Sequence, residues 1–502
     1  MTLDRRRVFA VVAAFAVLVY LGALWNGFAL DDQPIIHLNP LVHSWSGIWR
    51  AFAHSYWPES SGGEFYRPLP IATYAFDGTL TSGATWWFHL VNLLWHAAVS
   101  VAVAVLASHW RGEKAGLIAG LLFAVHPVHV EAVANVVGRA EIMAALFVLL
   151  SVYSALVWRS VAWSTAALVL GILCKENAAV IPGLVAWGWI LGLDRPSRAR
   201  MAVFAAAWTA AIVLCFTTRW FVLHGYMGRG DLAQFIGADF ISIRLTAIAV
   251  LADVARLLVF PLHLRIDFSP AERTLVTSAL DPQFLVGLLC TVALVALLLL
   301  AWRRGHTLEA FGLGWIAICY LPVANLLIPI GVLIADRALY LPSVGIALAA
   351  GSWIARLQAP RRALAIAAGL IAAGAVRTAL RVPVWRSDNS VTLSILDDSP
   401  NSYLGVQFTA SILLRAGQAA RALGYYRDAT RIYPYDPRNL LGAADAALTL
   451  ARRPVADSFF AQADRLCGRC RMHYITEADL ARGRGDSAVA DTLLARLRRL
   501  DQ

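Results

Sequence analysis

The sequence predicts an all-α polytopic membrane protein that ends in a small helical repeat domain. Three observations carry this. The 502 residues are 59% hydrophobic and only 15% charged, where a soluble protein has roughly 45–50% apolar and about 25% charged residues. Long uncharged runs recur up to about residue 398, and from about residue 399 the chain turns small, polar and Arg-rich with a 34-residue period. Together they exclude a disordered chain, a coiled coil and a conventional soluble enzyme. The length alone would suggest about three soluble domains, a division that a helical membrane bundle does not need.

A spanning helix needs about 20 mostly apolar residues. The first candidate, 8–30, follows Arg5-Arg6-Arg7. No small-residue cleavage site precedes Asp31-Asp32, so it reads as a retained helix rather than a signal peptide. Further uncharged runs lie at about 90–108, 115–130, 142–158, 161–174, 177–193, 201–218, 283–302, 310–328, 338–355 and 363–376. With the first, they predict about 11 transmembrane helices; 161–174 and 363–376 are short and need flanking residues. The apolar stretch 243–261 contains Arg244, Asp253 and Arg256, and reads as interfacial or re-entrant.

Short basic loops set the orientation. Arg5-Arg6-Arg7 puts the N-terminus in the cytoplasm. Alternate loops then carry Arg111 and Lys114, Arg159, Arg195 with Arg198 and Arg200, Arg303-Arg304, and Arg356 with Arg361-Arg362. All fall on the cytoplasmic side. The net charge of +11 is therefore membrane anchoring rather than a sign of nucleic acid. Arg377, Arg381 and Arg386 stand against the scheme. The predicted organisation is a transmembrane domain, 1–398, with a first extracytoplasmic loop at about 31–87, and an extracytoplasmic repeat domain, 399–502.

The repeat follows from spacing. Ala422, Tyr426, Ala429 and Pro434 match the second helix of a tetratricopeptide (TPR) repeat, and 34 residues on stand Ala456, Phe460 and Ala463. Another 34 residues on, Ala490, Leu494 and Leu497 are degenerate, while the small first-helix position recurs as Ala410, Ala444 and Ala478. Small residues let paired helices approach, and the aromatic fills the gap between repeats. A generic helical-hairpin domain is the plainer alternative. A TPR groove would hold a peptide or protein segment. Cys174, Cys215, Cys290 and Cys319 read as small buried apolar residues. Cys467 and Cys470 form C-x-x-C, either a disulfide in an oxidising compartment or a weak zinc site with only His473 nearby.

Polar motifs gather on the extracytoplasmic side. Asp31-Asp32 follows the first helix at the membrane surface, where a partly desolvated carboxylate is a candidate general base. His89, Asn92 and His96 share a helix face that descends into the bundle. Asn92 and His96 suit interhelical hydrogen bonds, and His89 sits close enough to the surface to reach a site. The densest cluster holds His126, His129, Glu131, Asn135, Arg139 and Glu141. Its H-x-x-H followed by Glu is also a metal-binding pattern, but no further ligand set accompanies it, and the cofactor stays open. Ionisable residues at membrane depth are functional by default. Lys175-Glu176 stands out because Lys114 and Lys175 are the only lysines among 43 basic residues. A compact ammonium suits a phosphate, though a Lys–Glu pair on a tight turn is the plain reading. Arg337 and Arg67 offer bidentate forks, with Tyr340 and Tyr66 as neighbouring phenols. A lipid-phosphate substrate would account for this layout.

These motifs resemble the transmembrane and TPR-repeat-containing O-mannosyltransferases and their bacterial relatives of the GT-C glycosyltransferase class. The likeness runs through Asp31-Asp32, Asn39-Pro40, Trp45 to Arg50, Tyr66-Arg67-Pro68-Leu69, Phe88-His89 with Asn92, His126 to Glu141, Lys175-Glu176-Asn177 and Arg337 to Ser343. The resemblance implies a GT-C-type bundle in a bacterial cytoplasmic membrane. It also implies inverting transfer of a sugar, typically mannose, from a polyprenyl-phosphate donor to a Ser/Thr hydroxyl. Asp31 would be the base, with Asp32 supporting. Arg139, Lys175 or Arg337 would stabilise the phosphate, and Glu131 and His129 would orient donor or acceptor. Arg67, His89, His126, Glu141, Glu176 and Tyr340 complete the expected substrate-binding set. Two departures are visible: the repeat array is short, and Asp336 stands where Glu is common. A transferase acting on a lipid or cell-envelope polysaccharide, and a non-catalytic scaffold or lipid-linked sugar transporter, are the competing readings.

Overall fold

A computed structural model describes residues 4–58, 63, 65–225, 233–259, 261–467 and 471–500. Among the described residues all regular structure is helical, with no strand. Each apolar run contains a helix: Arg5–Leu18, Thr85–Arg111, Glu113–Ala124, Arg139–Leu156, Val161–Cys174, Ile181–Ile190, Arg198–Val222, Pro282–Arg303, Thr307–Tyr320, Ser343–Ala355 and Pro360–Arg381. Among the described residues six helices are long and apolar enough to cross a membrane, or seven if Glu113–Ala124 and Pro127–Ala134, bent by 49°, count as one span. Val161–Cys174, Thr307–Val323 and Ser343–Ala355 are shorter apolar helices. The protein is thus an all-α membrane protein.

Burial orders the bundle. The span Val136–Leu156 is 78% buried and stands at the centre, whereas Pro282–Arg303 is 11% buried and offers its leucines and valines to lipid. Close crossings use small residues, since without water between helices only tight packing and polar bonds join them. A Cβ on Gly345 would stand 2.2 Å from the Gly312 carbonyl oxygen, so Thr307–Tyr320 and Ser343–Ala355 cross backbone on backbone.

Two segments differ from the sequence expectation. The first helix does not run to Leu30; it continues as a 3-10 turn, Leu21–Trp25, and then opens. There Asn26 donates to the Val382 carbonyl at 3.2 Å and the Gly27 N–H to the Arg386 carbonyl at 3.0 Å, which replace helical bonds. For 243–261 only the re-entrant reading is overturned: Phe240–Val259 is one uninterrupted helix, with Asp253 paired to Arg273 at 3.1 Å, and it is not among the helices long and apolar enough to span, as the interfacial reading expects.

One end of the bundle is stitched by ion pairs. Arg5 meets Glu113 at 3.8 Å, Arg356 and Arg111 both meet Glu309 at 2.7 and 3.9 Å, and Arg159 meets Asp194 at 3.4 Å. Lys114 donates to the Ala355 carbonyl at 3.2 Å, and Arg200 to that of Arg159 at 2.7 Å.

The C-terminal part is three helix pairs. First helices are Tyr403–Arg415, Pro437–Thr449 and Arg471–Gly483; second helices are Ala419–Ile432, Arg453–Cys467 and Ser487–Leu500. Each set starts at 34-residue steps. Ala410, Ala444, Ala478, Ala422, Ala456 and Ala490 are all fully buried, so the repeated small positions are where helices touch. Tyr426 and Phe460 fill one shared core. Cys470 and the Cys467 side chain lie outside the described residues. This part docks at the other end of the bundle, where Ser399 and Ser402 donate to the Asp267 carbonyl and carboxylate at 2.9 and 2.5 Å.

Candidate active site

The site lies in the turns at the end opposite the stitched one. The chain leaves the first helix and bends at Leu30, whose φ of 49° is in the left-handed region that a leucine rarely adopts. The two following aspartates point in different directions. Asp32 is fully buried, and its carboxylate accepts the N–H groups of Ala29 (3.2 Å), Val136 (3.3 Å) and Val137 (2.8 Å). The last two face it because the chain turns tightly at Gly138, where a Cβ would stand 2.1 Å from the Ala132 carbonyl oxygen. Burial pushes the Asp32 carboxyl up to about 7, against the opposing pull of these N–H donors. Asp31 instead keeps 30% of its side chain exposed and pairs with an Arg337 Nη1 at 3.1 Å. Asp32 clamps the turn, and Asp31 is the carboxylate that a solute can reach.

Arg337 is the cation that meets Asp31, and further ion pairs gather beside it. Arg337 opens the 3-10 turn Asp336–Leu339 as its second residue. Its Nε lies 3.5 Å from Glu131 Oε1, and its backbone N–H donates to Glu131 Oε2 at 2.8 Å. Burial works against the guanidinium charge, but Glu131 and Asp31 outweigh it and raise the Arg337 pKa. Arg67, just before the helix Pro68–Thr81, places its fork on Glu176 at 3.0 and 2.6 Å. The Phe65 and Tyr56 rings lie 4.5 and 5.2 Å from that guanidinium. Arg219 approaches Glu176 from Arg198–Val222 at 3.8 Å. Burial pushes Glu176 up, yet Arg67 prevails and holds it down at about 2. Lys175 sits on an extended residue between the helix Val161–Cys174 and the 3-10 turn Glu176–Val180, and donates to Glu141, which Asn177 also reaches at 3.4 Å. Burial lifts the Tyr56 hydroxyl to about 12, and the charges of Arg67, Asp31 and Arg337 all act on it. These residues therefore form one electrostatic cluster.

Four expected contact residues turn inward. Arg139 is completely buried and donates to Asn92 (2.7 Å), Thr73 (3.1 Å), Asp77 (2.5 Å) and the Phe88 carbonyl (3.0 Å). Its fork joins three helices instead of meeting a phosphate. Tyr340 is buried with its hydroxyl 2.8 Å from His96 Nδ1, and His129 Nε2 is 2.6 Å from Ser343 Oγ. His89 is buried with Nε2 3.3 Å from the Gly27 carbonyl. Such groups bond across the contacts between helices, and the buried Nδ1 atoms of His89 and His129 are left without a hydrogen-bond partner among the described residues. His126, at the edge, bonds the Leu258 carbonyl through Nε2 at 3.1 Å and accepts the Val128 N–H at Nδ1. Asp31, Arg67, Glu131, Lys175, Glu176 and Arg337 come together, with Glu141 behind Lys175. Tyr56, Arg219 and the Arg139 partner Asp77 escaped the sequence reading. Asp77 lies in an apolar helix and was the one with a signal, since a buried acid needs a partner.

A reachable carboxylate beside paired cations defines a class: a polytopic helical membrane protein with a site for a base and an anion at one end. No family model matches the chain. It is nevertheless a homologue of proteins named as O-mannosyl-transferases, and the resemblance read from its motifs holds over most of its length. Protein O-mannosyl-transferase TMTC3 of Homo sapiens is 27% identical over 460 residues, 83% of this chain and 50% of that protein. Protein O-mannosyl-transferase TMTC4 of Mus musculus is 27% identical over 490 residues, 83% of this chain and 65% of that protein. With Protein O-mannosyl-transferase Tmtc2 of Drosophila melanogaster the identity is 38% over 189 residues, 33% of this chain and 20% of that protein. The chain thus spans half to 65% of the length of the first two relatives.

Proposed function

We propose that this protein is a glycosyltransferase that moves a sugar, mannose, from a polyprenyl-phosphate donor to Ser/Thr hydroxyls of protein, with inversion. The observation that carries the proposal is the partly exposed Asp31 held by Arg337 in the cluster of paired charges at one end of the bundle, in a chain whose relatives are named protein O-mannosyl-transferases. Asp31 accepts the proton of the acceptor hydroxyl as its oxygen attacks the anomeric carbon. The new C–O bond forms on the face opposite the lipid phosphate. The old C–O bond breaks, and its electron pair leaves with the phosphate. Arg337, Lys175 and Arg67 stabilise that charge.

The pairing within the cluster supplies an order. Arg337 is shared by Asp31 and Glu131. A donor phosphate that takes its fork releases Asp31, so the base becomes free when the donor is bound, while Glu131 still holds Arg337 through its backbone N–H. The repeat domain would hold the acceptor segment, and the basic stitched end would face the cytoplasm.

The test incubates the purified full chain with polyprenyl-phosphate mannose and membrane-protein acceptors. Sugar on protein is expected from the unaltered chain, and Asp31→Asn, folded by thermal unfolding, should lose about 100-fold or more of kcat. Transfer to lipid or polysaccharide but never to protein overturns the acceptor, and undiminished transfer by Asp31→Asn overturns the base.

A further inference from the structure

The turn that presents Asp31 is held by the segment that leads into the repeat domain. The Leu30 N–H donates to Asp388 Oδ1 at 2.8 Å, across 358 residues of chain. Leu30 has the left-handed φ of 49°, a conformation that persists only when its surroundings hold it. The supports are specific. Ala29, one residue earlier, donates to the Asp32 carboxylate, so two successive N–H groups end on two carboxylates. The segment 382–388 also receives Asn26 and the Gly27 N–H. Asp388 opens the helix Asp388–Asp398 behind the Ser387 capping box, which sets its position. Its second oxygen lies 3.9 Å from an Arg415 Nη2, in the last turn of the first repeat helix Tyr403–Arg415. One carboxylate therefore touches both the site turn and the repeat domain.

We infer that Asp388 is a positioning residue for Asp31: it holds the Leu30 turn in its left-handed form and ties that turn to the repeat domain. The catalytic part of this inference rests on the proposed transferase activity; the structural part does not. A first-turn aspartate also stabilises its own helix through the helix dipole. That plainer role predicts a loss of stability on substitution, with the site turn and kcat unaffected.

Two readouts on the full chain separate the roles. The first is hydrogen–deuterium exchange over residues 26–33, which needs no activity. The second is the kcat and donor KM of mannose transfer. Asp388→Ala should speed exchange of that segment about tenfold. It should lower kcat about 10- to 100-fold, the cost of a misplacement near 1 Å, with donor KM within about twofold. Asp388→Asn keeps an acceptor oxygen and should stay within about threefold of the unaltered kcat. Adding Leu30→Gly to Asp388→Ala should recover part of kcat, because glycine takes positive φ without steric cost. Should Asp388→Ala not fold, Asp388→Glu, which displaces the carboxylate by one methylene, takes its place with the same expected drop. Unchanged exchange over 26–33 overturns the hold on the turn. Faster exchange with unchanged kcat overturns the positioning role. Absent transfer by the unaltered chain overturns the transferase reading, and the exchange result still decides the contact.

Discussion

The buried carboxyl of Asp32 accepts three backbone N–H groups, and this arrangement sets how pH acts on the fold. Its pKa is about 7 in the folded protein, against 3.8 for an exposed aspartate. Between pH about 4 and about 7 the folded state keeps a proton that the unfolded chain has lost. The unfolded state then binds fewer protons, so the stability contribution falls as pH rises through this window and levels off above about 7. Asp32→Asn carries no such titration. Thermal unfolding in detergent from pH 4 to pH 8 should show a wild-type decline that Asp32→Asn lacks, on top of a loss of about 1–3 kcal/mol from the poorer match to three donors. Parallel curves for the two proteins would sink this account. The adjacency of Asp31 and Asp32 was plain in the sequence, but their division of labour was not, because a single left-handed residue before them aims one carboxylate out and the other in. The same limit applies to His129, Arg139 and Tyr340. Their polar character was legible, whereas the direction of each side chain depends on partners such as Ser343, Asp77 and His96 that come from other helices.

At the scale of elements, apolar length and period carried most of the information. The uncharged runs are helices because a chain in lipid must satisfy its backbone internally. The 34-residue spacing of alanines reappears as the spacing of helix starts. Helix ends were less legible, as at Trp25, where the chain opens to bond Val382 and Arg386 some 350 residues away. Crossing points were not legible at all, since the many glycines look alike in sequence. Gly345 and Gly369 show the difference. A Cβ on Gly345 would meet the Gly312 carbonyl oxygen at 2.2 Å and Ile316 Cγ1 at 2.8 Å, while one on Gly369 meets nothing within 4 Å. Gly345→Ala must push two helices apart and should cost about 1–3 kcal/mol. Gly369→Ala should gain up to about 1 kcal/mol from helix propensity. Unfolding midpoints in detergent should therefore rank Gly345→Ala below wild type and Gly369→Ala at or above it. Equal midpoints for the two variants would show that backbone contact does not join these helices.

Across the whole molecule the charges divide into two groups with different work. At one end, arginines from alternate turns are tied through Glu113, Asp194 and Glu309 into the network that closes the bundle. At the other, Arg67, Lys175, Arg219 and Arg337 face Glu176, Glu141, Glu131 and Asp31 around the candidate site. Arg381, which stood against the orientation scheme, lies in this second group with its charge met by Asp398 at 2.6 Å. The site turn and the repeat domain meet there through Asp388, which accepts the Leu30 N–H and lies 3.9 Å from Arg415, so both are expected to face one compartment, and the excess of basic turns at the stitched end predicts that this end faces the cytoplasm. Single-cysteine reporters test this in a chain with all six native cysteines replaced, Cys467 and Cys470 by serine and Cys174, Cys215, Cys290 and Cys319 by alanine. Ser46→Cys, in the first loop, and Ser458→Cys, in the repeat domain, occupy exposed positions, as does Gln358→Cys in the turn after Ser343–Ala355. A membrane-impermeant maleimide on intact cells should label the first two, and Gln358→Cys only after permeabilisation. Labelling of Ser46→Cys and Ser458→Cys from opposite sides would break the contact between site turn and repeat domain. Labelling of Gln358→Cys alone would keep that contact and reverse the orientation, moving the proposed transfer to the cytoplasmic face.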